Sequence, residues 1–148
     1  MDVGAEASTP REGRSAPAIG DRVRVYRNLP LFKHRVFSIM AMSGPCKGLV
    51  LGYSRVVGLE RVTFKVSEAT RQKVIAKNCR TVHAFAEGYI ASLSSTLPDS
   101  CQGEDVGKIT YNSFLSGHFY DRSNPGNPVK TADEIYTWGA DLLCLDQR

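Results

Sequence analysis

Two segments of this 148-residue chain contain runs in which polar and apolar side chains alternate, and this period of two constrains the fold more than any other feature. Segment 22–26 reads RVRVY, so its valines face one side of a strand while its arginines and tyrosine face the other. Segment 59–66 reads LERVTFKV, and we expect its valines and phenylalanine to face inward, with Thr63 and Lys65 outward. Both segments therefore predict half-buried strands.

Shorter patterns predict further strands around a single helix. Segment 67–77 has Ser67 as a candidate N-cap, Glu68 at the positive end of the helix and Asn78 as a candidate C-cap. Further strands are predicted at 35–40, 49–53, 81–91, 108–111 and 134–138, a short apolar run lies at 142–145, and turns or loops are predicted at 43–48, 92–107 and 121–128. These elements predict an α+β fold: a mainly antiparallel β-sheet with one central α-helix.

The first 20 residues differ in composition from the rest of the chain. They are rich in Ala, Gly, Ser and Pro and lack an apolar stretch of signal-peptide length, so they predict a disordered leader. Residues 21–148 predict one globular domain, because a chain of this length with 42% hydrophobic residues can form one ordinary core. No run of about 18 apolar residues occurs, so we expect no membrane-spanning helix.

The formal net charge of +4 conceals a basic first half and an acidic second half. Residues 21–80 hold thirteen Lys or Arg and three acids, a charge of +10, whereas residues 81–148 hold four basic residues and nine acids, a charge of −5. An excess of this size indicates a polyanionic partner, and nucleic acid, a nucleotide and an acidic protein all fit. The opposite charges of the two halves also favour a homo-oligomer.

We expect the cations of the basic half to form one binding face. Phosphate recognition needs several cations together, and base stacking needs aromatic rings beside them, which Tyr26, Phe32 and Tyr53 could supply. There is no recognition-helix motif, RRM signature or glycine-rich phosphate loop, so binding of a backbone or a nucleotide is expected rather than reading of a DNA sequence. The predicted polyanion-binding residues are Arg22, Arg24, Lys33, Arg35, Arg71, Lys73, Lys77 and Arg80.

A small enzyme acting on a phosphorylated or nucleotide substrate is the alternative. His83 and Glu87 share one face of the predicted strand 81–91, and either could act with a residue of a neighbouring strand such as Tyr111. Four residues span about 13 Å at strand rise, so His83 and Glu87 are too far apart for a direct hydrogen bond. His83, Glu87 and Tyr111 are therefore the candidate catalytic residues.

The segment 111–121 combines Tyr, Asn, Ser, His and Asp, and Ser113 with His118 fits a nucleophile and its base. No G-x-S-x-G motif accompanies them, so a surface loop anchored by Phe114 and Tyr120 is the simpler interpretation.

The cysteines and histidines do not indicate a metal site, and no sequence motif indicates a cofactor. The four cysteines, at 46, 79, 101 and 144, form no CxxC pair, and HExxH is absent. We expect reduced, structural thiols. Cys79 is the candidate for a reactive thiolate, because Lys77 and Arg80 are its neighbours.

Several short pieces of the chain form an ordered pattern. They are VYRNL at 25–29 followed by VFS at 36–38, VTFKV at 62–66, VHAF at 82–85 followed by Gly88, and ITYN at 109–112. In their order and spacing, over roughly residues 22–138, the chain resembles a family of small, uncharacterised proteins encoded by bacteriophages, prophages and bacterial genomic islands. The resemblance implies a phage-related gene and a bacterial cytoplasm. We therefore expect an accessory protein, more an antagonist or binder than an enzyme, that engages nucleic acid, a nucleotide or a host defence complex.

Overall fold

The computed structural model describes residues 16–27, 36–78, 81–94, 96–102, 106–139 and 141–144. This part of the chain forms ten strands and one α-helix, α1, which spans Glu68–Lys77. The strands are Arg22–Arg27 (β1), Phe37–Ala41 (β2), Val50–Ser54 (β3), Val56–Val66 (β4), Ala84–Ser94 (β5), Gly107–Thr110 (β6), Phe119–Asp121 (β7), Asn124–Val129 (β8), Thr131–Trp138 (β9) and Asp141–Cys144 (β10).

All ten strands hydrogen-bond into one antiparallel sheet, in the order β3-β2-β1-β5-β4-β9-β10-β6-β7-β8. Strands make up 55% of the described residues and helix only 11%, so the predicted α+β class was wrong. The described part of the chain is a β-sheet with one short α-helix. Val74 is the only buried residue of this helix. Since most of α1 is exposed to solvent, the core is formed mainly by the strands.

The sheet curls so that distant strands pack against each other. Phe64 of β4 contacts Phe119 of β7 with ring centroids 5.1 Å apart, although these strands lie four places apart in the sheet. The curled inner face encloses the main core, which includes Val23, Ile39 and Ile135 with no exposed surface. Burying these side chains supplies the main stabilisation of the fold.

The predicted strand at 59–66 is confirmed, but its alternation is interrupted by a β-bulge. β4 pairs with β5 at Glu60–Tyr89 and next at Thr63–Glu87, so β4 advances three residues while β5 advances two. Arg61, in the bulge, has a φ of 53°. Because of the extra residue, Leu59 and Val62 both point inward although three positions separate them, and Arg61 is exposed.

The helix prediction is confirmed at both ends. The Ser67 hydroxyl accepts a hydrogen bond from the Thr70 N–H at 3.4 Å, and Asn78 adopts the left-handed conformation with its N–H donating to the Val74 carbonyl. These side-chain and backbone bonds satisfy groups that a helix end leaves unpaired.

The second half contains more strand than its sequence predicted. The segment 121–128, predicted as turn material, forms the end of β7 and most of β8. β8 includes Pro125 and Pro128, which lack an N–H. These prolines are tolerated because β8 is the last strand of the sheet. The turn-forming residues of this segment therefore led to a turn prediction where the structure has an edge strand.

Several predictions lie outside the described residues. They include most of the predicted leader 1–20, of which residues 16–20 are described, together with Phe32, Lys33, Arg35, Cys79 and Arg80. Among the described residues, Cys101 and Cys144 are buried and Cys46 is half-buried. No helix in the described segments is long and apolar enough to cross a membrane.

Candidate functional site

The outward side of β1, β5 and β4 carries cations and aromatic rings in register. Arg22 lies opposite Tyr89, and Arg24 lies opposite Glu87. Lys65 lies opposite Phe85. We call the following residues, which extend onto β3, the arginine–aromatic face: Arg22, Arg24, Tyr26, Tyr53, Arg61, Lys65, Phe85 and Tyr89.

Aromatic side chains form one row across this face. Tyr26 meets Phe85 edge-to-face, with ring centroids 6.3 Å apart. Ser38 lies opposite both Tyr26 and Tyr53, so the row continues across β2 to β3. The rings are half-buried, which leaves part of each exposed to solvent.

Two arginines have their guanidinium groups over rings of the arginine–aromatic face. The guanidinium carbon of Arg24 is 4.1 Å from the Phe85 ring centroid, and that of Arg61 is 4.0 Å from the Tyr89 centroid. Each contact is a cation–π interaction worth about 0.5–1 kcal/mol at an exposed site. The stacking holds these long side chains along the sheet surface.

Glu87 is the buried anchor of the arginine–aromatic face. Its Oε2 accepts from Arg24 Nε at 2.9 Å and Nη2 at 2.5 Å, and its Oε1 lies 3.9 Å from Lys65 Nζ. The Glu87 side chain is 8% exposed, whereas that of Lys65 is 56% exposed. One carboxylate therefore fixes Arg24, while Lys65 keeps most of its surface for an external anion.

The described members of the predicted polyanion set fall on two elements. Arg22 and Arg24 lie on the arginine–aromatic face, whereas Arg71, Lys73 and Lys77 lie on α1. Lys73 and Lys77 are exposed. Arg61 and Lys65 were not in the predicted set, although the three-residue step from Leu59 to Val62 was a signal that Arg61 turns outward.

Arg71 acts within the fold. Its Nε donates to the Ser113 carbonyl at 3.0 Å and its Nη1 to Glu68 Oε2 at 3.0 Å. The side chain is 16% exposed and ties α1 to the segment after β6. These donors, and a further hydrogen bond to Tyr111, are thus directed at the protein itself.

A cavity of about 790 Å³ opens between the end of α1, strands β1, β5, β6 and β7, and the segment 111–114. His83 and Tyr111 lie in its wall and meet directly, since His83 Nε2 is 2.8 Å from the Tyr111 hydroxyl. His83 Nδ1 is 2.8 Å from the Thr81 carbonyl, which can only accept, so Nδ1 carries the proton. In neutral His83, Nε2 then accepts from the Tyr111 hydroxyl.

Tyr111 is held as a protonated phenol. Burial raises its pKa to about 12, against the opposing effect of the Arg71 charge. Its ring also packs on Phe119, with centroids 5.4 Å apart. Tyr111 therefore donates to neutral His83, while its oxygen accepts from Arg71.

The three candidate catalytic residues do not form one cluster. Tyr111 reaches His83, but Glu87 is bound to Arg24 on the arginine–aromatic face. Of the two predicted loop anchors, Tyr120 is 9% exposed, as expected, whereas the prediction for Phe114 was wrong because it is 67% exposed.

Two cavity residues were missed by the sequence analysis. Arg27 and Arg122 both line the cavity, although they come from the basic and the acidic half of the chain. Arg27 has the same strand parity as Val23 and Val25, so a cation on the apolar side of β1 was the available signal. Among the described residues, no group of three or more His, Cys, Asp or Glu is placed to hold a metal ion.

Comparison with known proteins identifies a protein family that this chain matches. The family described as Mycobacterium phage L5 gene 82 protein matches residues 16–142, which is most of the chain. No curated protein and no solved structure matches it. The match confirms the resemblance to a phage protein family that the motifs between 25 and 112 indicated. This chain, a curled antiparallel sheet with an arginine–aromatic face, belongs to the Mycobacterium phage L5 gene 82 protein family.

Proposed function

We propose that this phage-family protein binds single-stranded nucleic acid on its arginine–aromatic face. The observation that supports it is the interleaving of cations and half-exposed rings across adjacent strands, with Arg22 opposite Tyr89 and Lys65 opposite Phe85. Single strands bind where cations meet phosphates and aromatic rings stack on bases.

Strand geometry suits a flexible single strand better than a duplex. Tyr89 and Phe85 are four residues apart on β5, about 13 Å at strand rise, and both project from the same side. Rings on a sheet surface can stack only on bases that are not paired inside a double helix. Duplex readers instead insert a helix or ribbon into a groove.

The exposed cations predict the salt dependence. Arg24 is held by Glu87, whereas Arg61 and Lys65 stay 68% and 56% exposed beside Glu60 and Glu87. With the exposed Arg22 they are the cations for about three phosphates. At about 0.7 per phosphate, the logarithm of affinity should fall with a slope of about −2 against the logarithm of salt concentration. The same slope gives a roughly 20-fold loss between 50 and 200 mM salt.

The test is fluorescence anisotropy of labelled dT and rU oligonucleotides over a salt series. The combined variant Arg22→Gln, Arg61→Asn and Lys65→Gln should bind weakly with a slope near zero. A charge-matched control, Lys73→Gln, Lys77→Gln and Lys108→Gln, changes exposed lysines on α1 and β6 and should bind nearly as the parent does. Tyr89→Ala should weaken binding about 10-fold, within the range for one stacked base.

Two results would refute the proposal. Equal losses in the two triple variants would mean that net charge, and not this face, attracts the oligonucleotide. Absence of binding at 50 mM salt would exclude nucleic acid and direct the search to a host protein or to self-association, which sedimentation at low and high salt would detect.

A further inference from the structure

The cavity beside α1 adjoins the arginine–aromatic face, since Tyr26 and Phe85 also line it, but most of its wall is formed by other residues. Its volume of about 790 Å³ lies within the range of about 300–1,000 Å³ that is usual for small-molecule sites. Its wall combines apolar rings such as Phe37 with polar groups such as Asn112. A space of this kind can enclose a ligand that is partly aromatic and partly polar.

One part of the cavity wall is cationic. Arg27 and Arg122 both line it, and each influences the other electrostatically together with Asp141. Arg122 Nε donates to Asp141 Oδ1 at 2.6 Å. Guanidinium groups recognise phosphate through paired hydrogen bonds, so this part of the wall suits a phosphate group.

Arg27 lies in the more enclosed part of this group. Burial lowers its pKa, which Asp141 opposes and Arg122 reinforces. A bound anion would lower the electrostatic repulsion between the two arginines. The arrangement therefore favours an anionic group at this part of the wall.

Another part of the wall is aromatic and hydrogen-bonding. Tyr111 packs against Phe119, and its hydroxyl is oriented by His83. Arg122 follows β7 and its N–H donates to the Lys108 carbonyl, whereas Tyr111 follows the other end of β6, and both residues line the cavity. The cavity wall thus carries both cationic and aromatic groups.

We propose that this cavity binds a nucleoside monophosphate, with its phosphate at Arg27 and Arg122 and its base beside Tyr111 and Phe119. Asn112 Oδ1 accepts from the Phe114 N–H at 2.9 Å, so its Nδ2 is the group that can donate to a base edge. The proposal does not depend on nucleic-acid binding at the arginine–aromatic face.

Isothermal titration calorimetry with AMP and UMP tests the nucleoside monophosphate proposal. Inorganic phosphate and adenosine, each of which is one part of AMP, serve as comparison ligands. AMP or UMP should bind at least 10-fold more tightly than phosphate or adenosine alone. Arg122→Gln should weaken nucleotide binding at least 10-fold. Asp141→Asn should strengthen it, because it removes the carboxylate that competes for Arg122.

The opposite effects of the last two variants separate ligand binding from a structural role. If the Arg122–Asp141 pair only supports the fold, both variants should weaken binding and lower the melting temperature alike, and that result would overturn the proposal. So would absence of heat with AMP and UMP at millimolar concentration, or equal affinity for AMP and adenosine.

Controls keep this test apart from that of the arginine–aromatic face. Arg61→Asn, at an exposed position outside the cavity wall, should leave mononucleotide affinity unchanged. Arg122→Gln should leave oligonucleotide affinity unchanged. Loss of both activities in either variant would show that the two sites are one, contrary to the proposal.

Discussion

Gly88 of β5 should not tolerate even one added methyl group, because the bulge that displays Arg61 lies against it. A Cβ at position 88 would stand 2.8 Å from the Glu60 carbonyl oxygen and 3.4 Å from Val62 Cγ2. Reaching an ordinary contact of 3.4 Å requires the backbone of β4 to move by about 0.6 Å. Overpacking of this kind costs about 1–3 kcal/mol.

Part of that cost is offset in the unfolded chain. Replacing Gly by Ala restricts the unfolded state and stabilises a protein by about 0.4–1 kcal/mol where the native backbone permits it. We therefore expect Gly88→Ala to lower the free energy of unfolding by about 1–2 kcal/mol. It should also weaken oligonucleotide binding, since the moving carbonyl belongs to the bulge that carries Arg61.

Urea denaturation followed by circular dichroism measures the change. The matched control is Gly126→Ala in β8, where an added Cβ has no atom within 4 Å, and its stability should stay within about 0.5 kcal/mol of the parent or rise slightly. If Gly88→Ala unfolds at the same urea concentration as Gly126→Ala, the close approach of β4 to β5 is not rigid and the reasoning fails.

Three further predictions concern the bulge residue Arg61, two buried tyrosines and the N-cap of α1. Arg61→Asn should change the free energy of unfolding by less than about 1 kcal/mol in urea denaturation, because Asn tolerates a φ of 53°. Oligonucleotide affinity should fall in the same variant. A fall of several kcal/mol in the free energy of unfolding would contradict this prediction. Stability should fall as pH rises from about 10 to 12, because burial raises the pKa of Tyr111 and of Tyr136 to about 12 above the unfolded value of 10.0, so the folded state retains protons that the unfolded state releases. Denaturation over that pH range with tyrosinate absorbance checks it, and flat stability would contradict it. Ser67→Ala should cost about 1 kcal/mol in thermal denaturation through loss of the α1 cap, whereas Ser123→Ala, outside the helix, serves as its control.

Local patterns predicted the elements whose causes are local. β1 followed from its alternation, and α1 followed from Ser67 and Asn78 at its two ends. β8 could not be predicted in the same way, because its Asn, Pro and Gly residues favour turns and only the place of β8 at the sheet edge makes a strand acceptable. The α+β prediction failed for this reason: strand in the second half depends on pairing partners distant in sequence.

In the candidate sites too, residues placed by local patterns could be predicted, and residues placed by distant contacts could not. Arg22, Arg24 and Tyr26 could be assigned to one face because strand parity is a local property. Arg61 could not, since a bulge shifts the parity of β4 by one residue. The approach of Arg122 to Arg27 depends on the curl of the sheet, which places the residue after β7 and the end of β1 around one cavity.

The charge excess of the first half therefore need not represent one large patch. β1 alone directs Arg22 and Arg24 outward and Arg27 toward the cavity, because successive residues of a strand point to opposite faces. Glu87 neutralises part of the outward set, and Asp141 neutralises part of the inward set. If these groups act as the two proposed sites require, oligonucleotide binding should show the salt slope of about three phosphate contacts, and mononucleotide binding a slope of about one. A slope that reflected all ten excess charges would instead require a partner that wraps around both faces, and neither site would then be a separate unit.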